Sequence, residues 1–89
     1  MLKKTVIIKN KLGLHARAAV KFVNLANRFA SSVRIENAGA KIDGKSILGI
    51  LTLAAVQGAR ITLKISGKDE KSALKALVAL IDDRFQEKE

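Results

Sequence analysis

His15 is the only histidine in 89 residues, and it stands in the run Gly13-Leu14-His15-Ala16-Arg17. Apolar residues at helical spacing begin just after it, so the sequence predicts His15 at the N-cap of a helix, with Gly13 permitting a sharp approach from the preceding strand. The first N–H groups of a helix have no intrahelical acceptors and, with the helix dipole, form a site for anions. The same positive end disfavours an imidazolium, which leaves a ring nitrogen available as a nucleophile. Arg17 adds a fixed cation for phosphate oxygens. These parts fit a phosphorylatable histidine better than a hydrolytic one, because the local motif holds no serine or cysteine nucleophile and no obvious carboxylate to orient a general base. Spacing alone nevertheless favours an ordinary solvent-facing histidine, since short motifs recur by chance. Ser46 is the second candidate: it precedes an apolar helical run and reads as an N-cap. Lys45 beside it reads as surface charge.

Four short strands and three helices are expected to position these residues. Residues 5–9 form a β-rich run. Residues 32–37 and 40–43 alternate about an Asn37-Ala38-Gly39 turn as a hairpin does, and 60–66 places Ile61, Leu63 and Ile65 on one face. A helix over 16–29 carries Ala19, Phe22, Val23, Ala26 and Phe29 on one side, with Arg17, Lys21, Asn24 and Arg28 on the other. Another runs from about Glu70 to Arg84 with the stripe Leu74, Leu77, Val78, Ile81 and Phe85, and Asp69 is placed to cap it. The order β-α-β-β-α-β-α predicts an α+β sandwich, with helices on one face of a mainly antiparallel sheet.

The middle helix, from Ser46 to about Leu53, is apolar nearly all round. Ile50, Leu53 and Ala54 share one side; Ile47, Leu48 and Leu51 occupy the adjacent arc. One arc can face the sheet. The second reads equally as core or as an exposed docking surface for another protein.

Composition narrows the function classes. With 48% apolar residues, the chain suffices for one small domain over 1–89. There is no cysteine, so disulfides and thiolate metal sites are excluded, and one histidine makes no cluster; no metal and no cofactor are expected. The longest apolar run, 47–56 with Gly49 and Thr52 inside it, falls short of the roughly 20 residues of a membrane span. A cytoplasmic location and no membrane insertion are therefore expected. The formal charge of +9 favours acidic partners, phosphorylated ligands or nucleic acid. A small basic nucleic-acid-binding domain is the weaker alternative, since three Phe with no Tyr or Trp give little to stack on and the basic residues are scattered from Lys3 to Lys88. A regulatory adaptor working through Ile47, Leu48 and Leu51 alone is the other.

GLHARAA, then DGKSILGI about thirty residues later and the tail QGARITLKISGKDEKSALKAL, resemble the HPr family, the histidine-containing phosphocarriers of the bacterial phosphoenolpyruvate-dependent phosphotransferase system. The similarity covers essentially the whole chain in the same element order. It implies an open-faced β-sandwich in which a four-stranded antiparallel sheet is covered on one face by three helices. It further implies a carrier, not an enzyme: enzyme I passes a phosphoryl group to Nδ1 of His15, and EIIA domains receive it, in sugar uptake or in a regulatory phosphorelay. Arg17 matches the family's active-site arginine. Ser46 matches the serine that HPr kinase/phosphorylase modifies in many bacteria, and Val20, Ile47, Leu48 and Leu51 match the partner-docking surface. A monomer that binds no nucleic acid is the expected state. One departure is Ala18, where the family commonly has proline: the first helical turn keeps an N–H and loses a fixed φ.

Overall fold

Ile61, Leu63 and Ile65 alternate with Thr62 and Lys64 along one strand, and all three apolar side chains are fully buried. That alternation is the plan of the whole sheet. In the computed structural model, which describes residues 1–87, the elements run β1 (Leu2–Ile7), α1 (Ala16–Ala26), β2 (Ser32–Asn37), β3 (Ala40–Asp43), α2 (Ile47–Leu53), β4 (Arg60–Ser66) and α3 (Glu70–Asp82), followed by a three-residue turn, Arg84–Gln86. The sheet order is β1-β4-β2-β3 and every pairing is antiparallel. Helices cover one face: Val6, Val33, Ile35 and the β4 residues meet Phe22, Ile50, Leu77 and Ile81 in one core. The open-faced sandwich expected from the sequence is therefore the observed fold. No helix among the described residues is long and apolar enough to cross a membrane.

The hairpin between β2 and β3 turns through Ala38 and Gly39, both at positive φ, the pair of conformations that a two-residue hairpin loop requires. Several element ends differ from expectation. β1 begins at Leu2 and stops at Ile7, not 5–9, because pairing with β4 runs from Leu2 opposite Ile65 to Ile7 opposite Arg60. An edge strand tolerates Lys3 and Lys4. α1 stops at Ala26, three residues early: Arg28 and Phe29 bond back to Leu25 and Ala26 in tight turns, and Phe29 packs half-buried from outside the helix.

Asp69 occupies the N-cap position of α3 but makes no capping hydrogen bond. Its carboxylate instead accepts from the N–H of Ala30 (2.8 Å), the N–H of Ser31 (3.0 Å) and the Ser31 hydroxyl, tying the start of α3 to the segment between α1 and β2. These bonds hold the carboxyl below its ordinary value. α3 ends at Asp82, before Arg84, and Phe85 is buried from beyond the helix, in the turn that follows it.

Candidate functional site

His15 caps α1. Its backbone is extended, its carbonyl accepts the first helical bond from Ala19 N–H (2.9 Å), and its Nδ1 accepts from Arg17 N–H at a loose 3.3 Å. An imidazole thus takes the place usually held by a serine or aspartate oxygen. The approach is rigid because Gly13, at φ +67°, sits against Ala55: a Cβ there would fall 2.4 Å from the Ala55 carbonyl oxygen. Leu14 is buried beside it, its N–H bonded to that same oxygen.

The other ring nitrogen has a partner that the local motif does not reveal. Nε2 lies 2.6 Å from Oε2 of Glu87, and Oε1 of Glu87 accepts from Nδ2 of Asn10 at 2.8 Å. Asn10 is fully buried and gives its other amide proton to the Gly13 carbonyl (2.7 Å). The expectation that no carboxylate stands beside His15 is corrected: one does, 72 residues along the chain. With Nδ1 accepting a hydrogen bond from the backbone and Nε2 facing a carboxylate, the bonding pattern assigns the Nε2–H tautomer and leaves the lone pair on Nδ1. Burial pushes the Glu87 carboxyl up, but the hydrogen bonds from Asn10 and His15, with the charge of Lys21, outweigh it and hold the group below its ordinary value.

Glu87 reaches the ring through an unusual piece of backbone. Arg84, Phe85 and Gln86 all have positive φ, between 54° and 63°. Each left-handed L-residue costs roughly 1–2 kcal/mol, a cost offset by full burial of the Phe85 side chain and by a 2.6 Å bond from Lys21 Nζ to the Phe85 carbonyl. Left-handed non-glycine residues carry no compositional signature, so neither Glu87 nor Lys21 could be assigned to the site from the sequence. Asn10 offers only a weak turn signal.

Arg17 is exposed, and its guanidinium makes no hydrogen bond or ion pair among the described residues. It flanks His15, reaching the ring through its backbone N–H alone. Ala18, where a proline was the family expectation, is fully buried. Ser46 caps α2, accepting from Gly49 N–H at 3.0 Å. Lys45 is not mere surface charge: it is half-buried and donates to the Phe29 carbonyl at 2.8 Å, closing the end of the α1 segment.

The two arcs of α2 divide only in part as the periodicity predicts. Ile50 is fully buried, whereas Leu48 is 72% and Ile47 39% exposed, and Val20 on the neighbouring α1 is 40% exposed. Leu51 departs from the exposed arc. It is half-buried and packs on the core, as does Leu53, while Ala54 is exposed in a left-handed C-cap instead of facing the sheet. A seven-residue helix is too short for its sides to separate cleanly.

A histidine presented at a helix start, with an unprotonated Nδ1 held only by a loose backbone contact and an apolar surface beside it, can accept a phosphoryl group from one protein and yield it to another. The PTS-HPr family model, described as the PTS HPr component phosphorylation site, matches residues 2–83. The chain belongs to the HPr family. The HPr phosphocarrier protein of Cupriavidus necator is 48% identical to it over 89 residues, covering all of both chains. That of Pseudomonas aeruginosa is 49% identical over 85 residues, 94% of each. Among solved structures, HPr from Thermoanaerobacter tengcongensis superposes with a TM-score of 0.96 at 45% identity over the full length of both chains. HPr membership accounts for the fold and the element order; the His15–Glu87–Asn10 arrangement is read from this chain's own geometry.

Proposed function

We propose that the protein accepts a phosphoryl group on Nδ1 of His15 from phospho-enzyme I and passes it to EIIA-type domains, acting as a carrier without turnover of its own. The observation that carries this reading is the division of labour between the two ring nitrogens. As Nδ1 attacks phosphorus, the P–N bond forms while the bond to the donor's imidazole breaks, and the donor leaves with that electron pair. Positive charge grows on the ring of His15, and Nε2–H directs it at the Glu87 carboxylate. The phosphoryl oxygens meet N–H groups of Ala16 and Arg17 at the start of α1, with the Arg17 guanidinium free to swing onto them. The loose Arg17 N–H to Nδ1 contact is readily exchanged for one to phosphate.

Docking then falls to the apolar surface of Val20, Ile47 and Leu48, with Leu51 beneath it. Ser46 at its edge is the candidate for regulation by HPr kinase/phosphorylase. A phosphate there would place roughly two negative charges beside the arc, weakening docking and leaving the fold in place. The carrier is proposed to act as a cytoplasmic monomer.

Incubation with enzyme I and labelled phosphoenolpyruvate tests the reading. One acid-labile, base-stable phosphate per chain is expected, transferable to an EIIA domain and absent in His15→Ala. Phosphate retained by His15→Ala would refute it.

A further inference from the structure

A groove of about 470 Å³ opens between the edge strand β1 and helix α3, away from the apolar arc of α2. Its floor is Leu2, Leu74 and Val78, and its rim is Lys4, Lys71 and Lys75. Lys4 is the telling residue. It pairs across the sheet with Leu63, and its neighbours in alternation, Leu2 and Val6, pair with Ile65 and Ile61; all three β4 partners are fully buried. Lys4 therefore occupies a core-face position, at the edge that the helices leave uncovered. A lysine on the inner face of an edge strand discourages sheet-to-sheet association, and that alone would account for one cation. It does not account for two more on α3, four residues apart on the same rim as each other, beside an unfilled apolar floor. Among the described residues none of the three lysines forms an ion pair, and Asp82, the one carboxylate at the groove's end, is already held by Lys9 at 3.1 Å.

From this open apolar floor flanked by unneutralised cations, we propose that the groove binds a free single-chain acyl carboxylate, its chain along Leu2, Leu74 and Val78 and its head group among Lys4, Lys71 and Lys75. The size lies within the roughly 300–1,000 Å³ of small-molecule pockets. The charge of Lys4, Lys71 and Lys75 selects an anion over a neutral or cationic amphiphile, and the apolar floor between them selects one that carries a chain. The site is separate from the carrier chemistry, so it stands whether or not His15 carries phosphate.

Titration of the ¹⁵N-labelled protein with dodecanoate below its micelle concentration tests this. Saturable shifts at Leu2, Lys4, Leu74 and Val78 are expected, with dodecyltrimethylammonium binding about tenfold more weakly or not at all. Lys4→Glu with Lys75→Glu should weaken dodecanoate about tenfold, since each exposed ion pair contributes up to roughly a factor of five, with the melting temperature and phosphotransfer from enzyme I unchanged. Shifts confined to the Ile47 and Leu48 surface, equal binding of the cationic amphiphile, or an unaltered affinity in the double variant would each overturn the proposal. So would cosedimentation with phosphatidylglycerol vesicles in the absence of any dodecanoate shift, which would make the occupant a membrane.

Discussion

An imidazole does not by itself choose which nitrogen reacts; the choice is made by what each nitrogen already touches. In this protein the backbone N–H of Arg17 meets Nδ1 and a carboxylate meets Nε2, so the proposed choice of Nδ1 is one that the resting contacts already favour. Glu87→Gln should keep a hydrogen-bond acceptor at Nε2 but remove the charge that balances the developing imidazolium. A hydrogen bond to a charged group contributes about 1.5–3 kcal/mol, so phosphoryl uptake is expected to slow by roughly one to two orders of magnitude. Stopped-flow transfer from phospho-enzyme I would read this, and an unchanged rate would reduce Glu87 to a structural contact. Arg17→Ala is expected to slow transfer by a similar factor for a different reason, the loss of a cation from the phosphoryl oxygens. Its melting temperature should match the parent's, since the guanidinium bonds nothing among the described residues.

Helices set the directions in which these groups act. In α2, Leu48→Asp is expected to leave the melting temperature within a few degrees of the parent while raising KM for enzyme I, because only an intermolecular apolar contact is lost. Ile50→Asp should unfold the protein: an unpaired carboxylate in the core costs several kcal/mol out of a total of roughly 5–15. Thermal melts paired with steady-state transfer separate the two, and a Leu48→Asp protein that unfolded would refute the docking surface. Asp69 works between elements. Its carboxyl is held below the ordinary 3.8, so the stability it contributes is present above that value and is lost as pH falls through the lower folded value. Asp69→Asn should therefore melt below the parent at pH 7, with the gap closing in acid; a gap that persisted at pH 2 would mean that the charge is not what matters. Period and capping made most elements legible in the sequence: the β2–β3 hairpin, the β4 alternation, the N-caps at His15 and Ser46, and the burial of Ile50 in α2. What stayed hidden depends on tertiary choices. Asp69 had two sets of N–H groups within reach and took those of Ala30 and Ser31. Leu51 sank half into the core because a short helix lies where its neighbours let it.

For the molecule as a whole, the two ends of the chain's described length are brought to one spot: Asn10 and His15 near the beginning, Glu87 near the end, with the sheet and α1 between them. No local window contains that cluster, which is why the placement of His15 at the start of α1 was legible and its carboxylate partner was not. Phe85, fully buried beyond the end of α3, is the anchor that holds the arrangement. The structure thus makes a specific claim about bonding, that the sandwich presents Nδ1 and reserves Nε2. Long-range ¹H–¹⁵N correlation spectra of the uniformly ¹⁵N-labelled protein, recorded after phosphorylation by enzyme I, read the claim directly. Phosphorus coupled to Nδ1 of His15, with Nε2 bearing a proton, is the predicted result; phosphorus on Nε2, or on any residue other than His15, would contradict it.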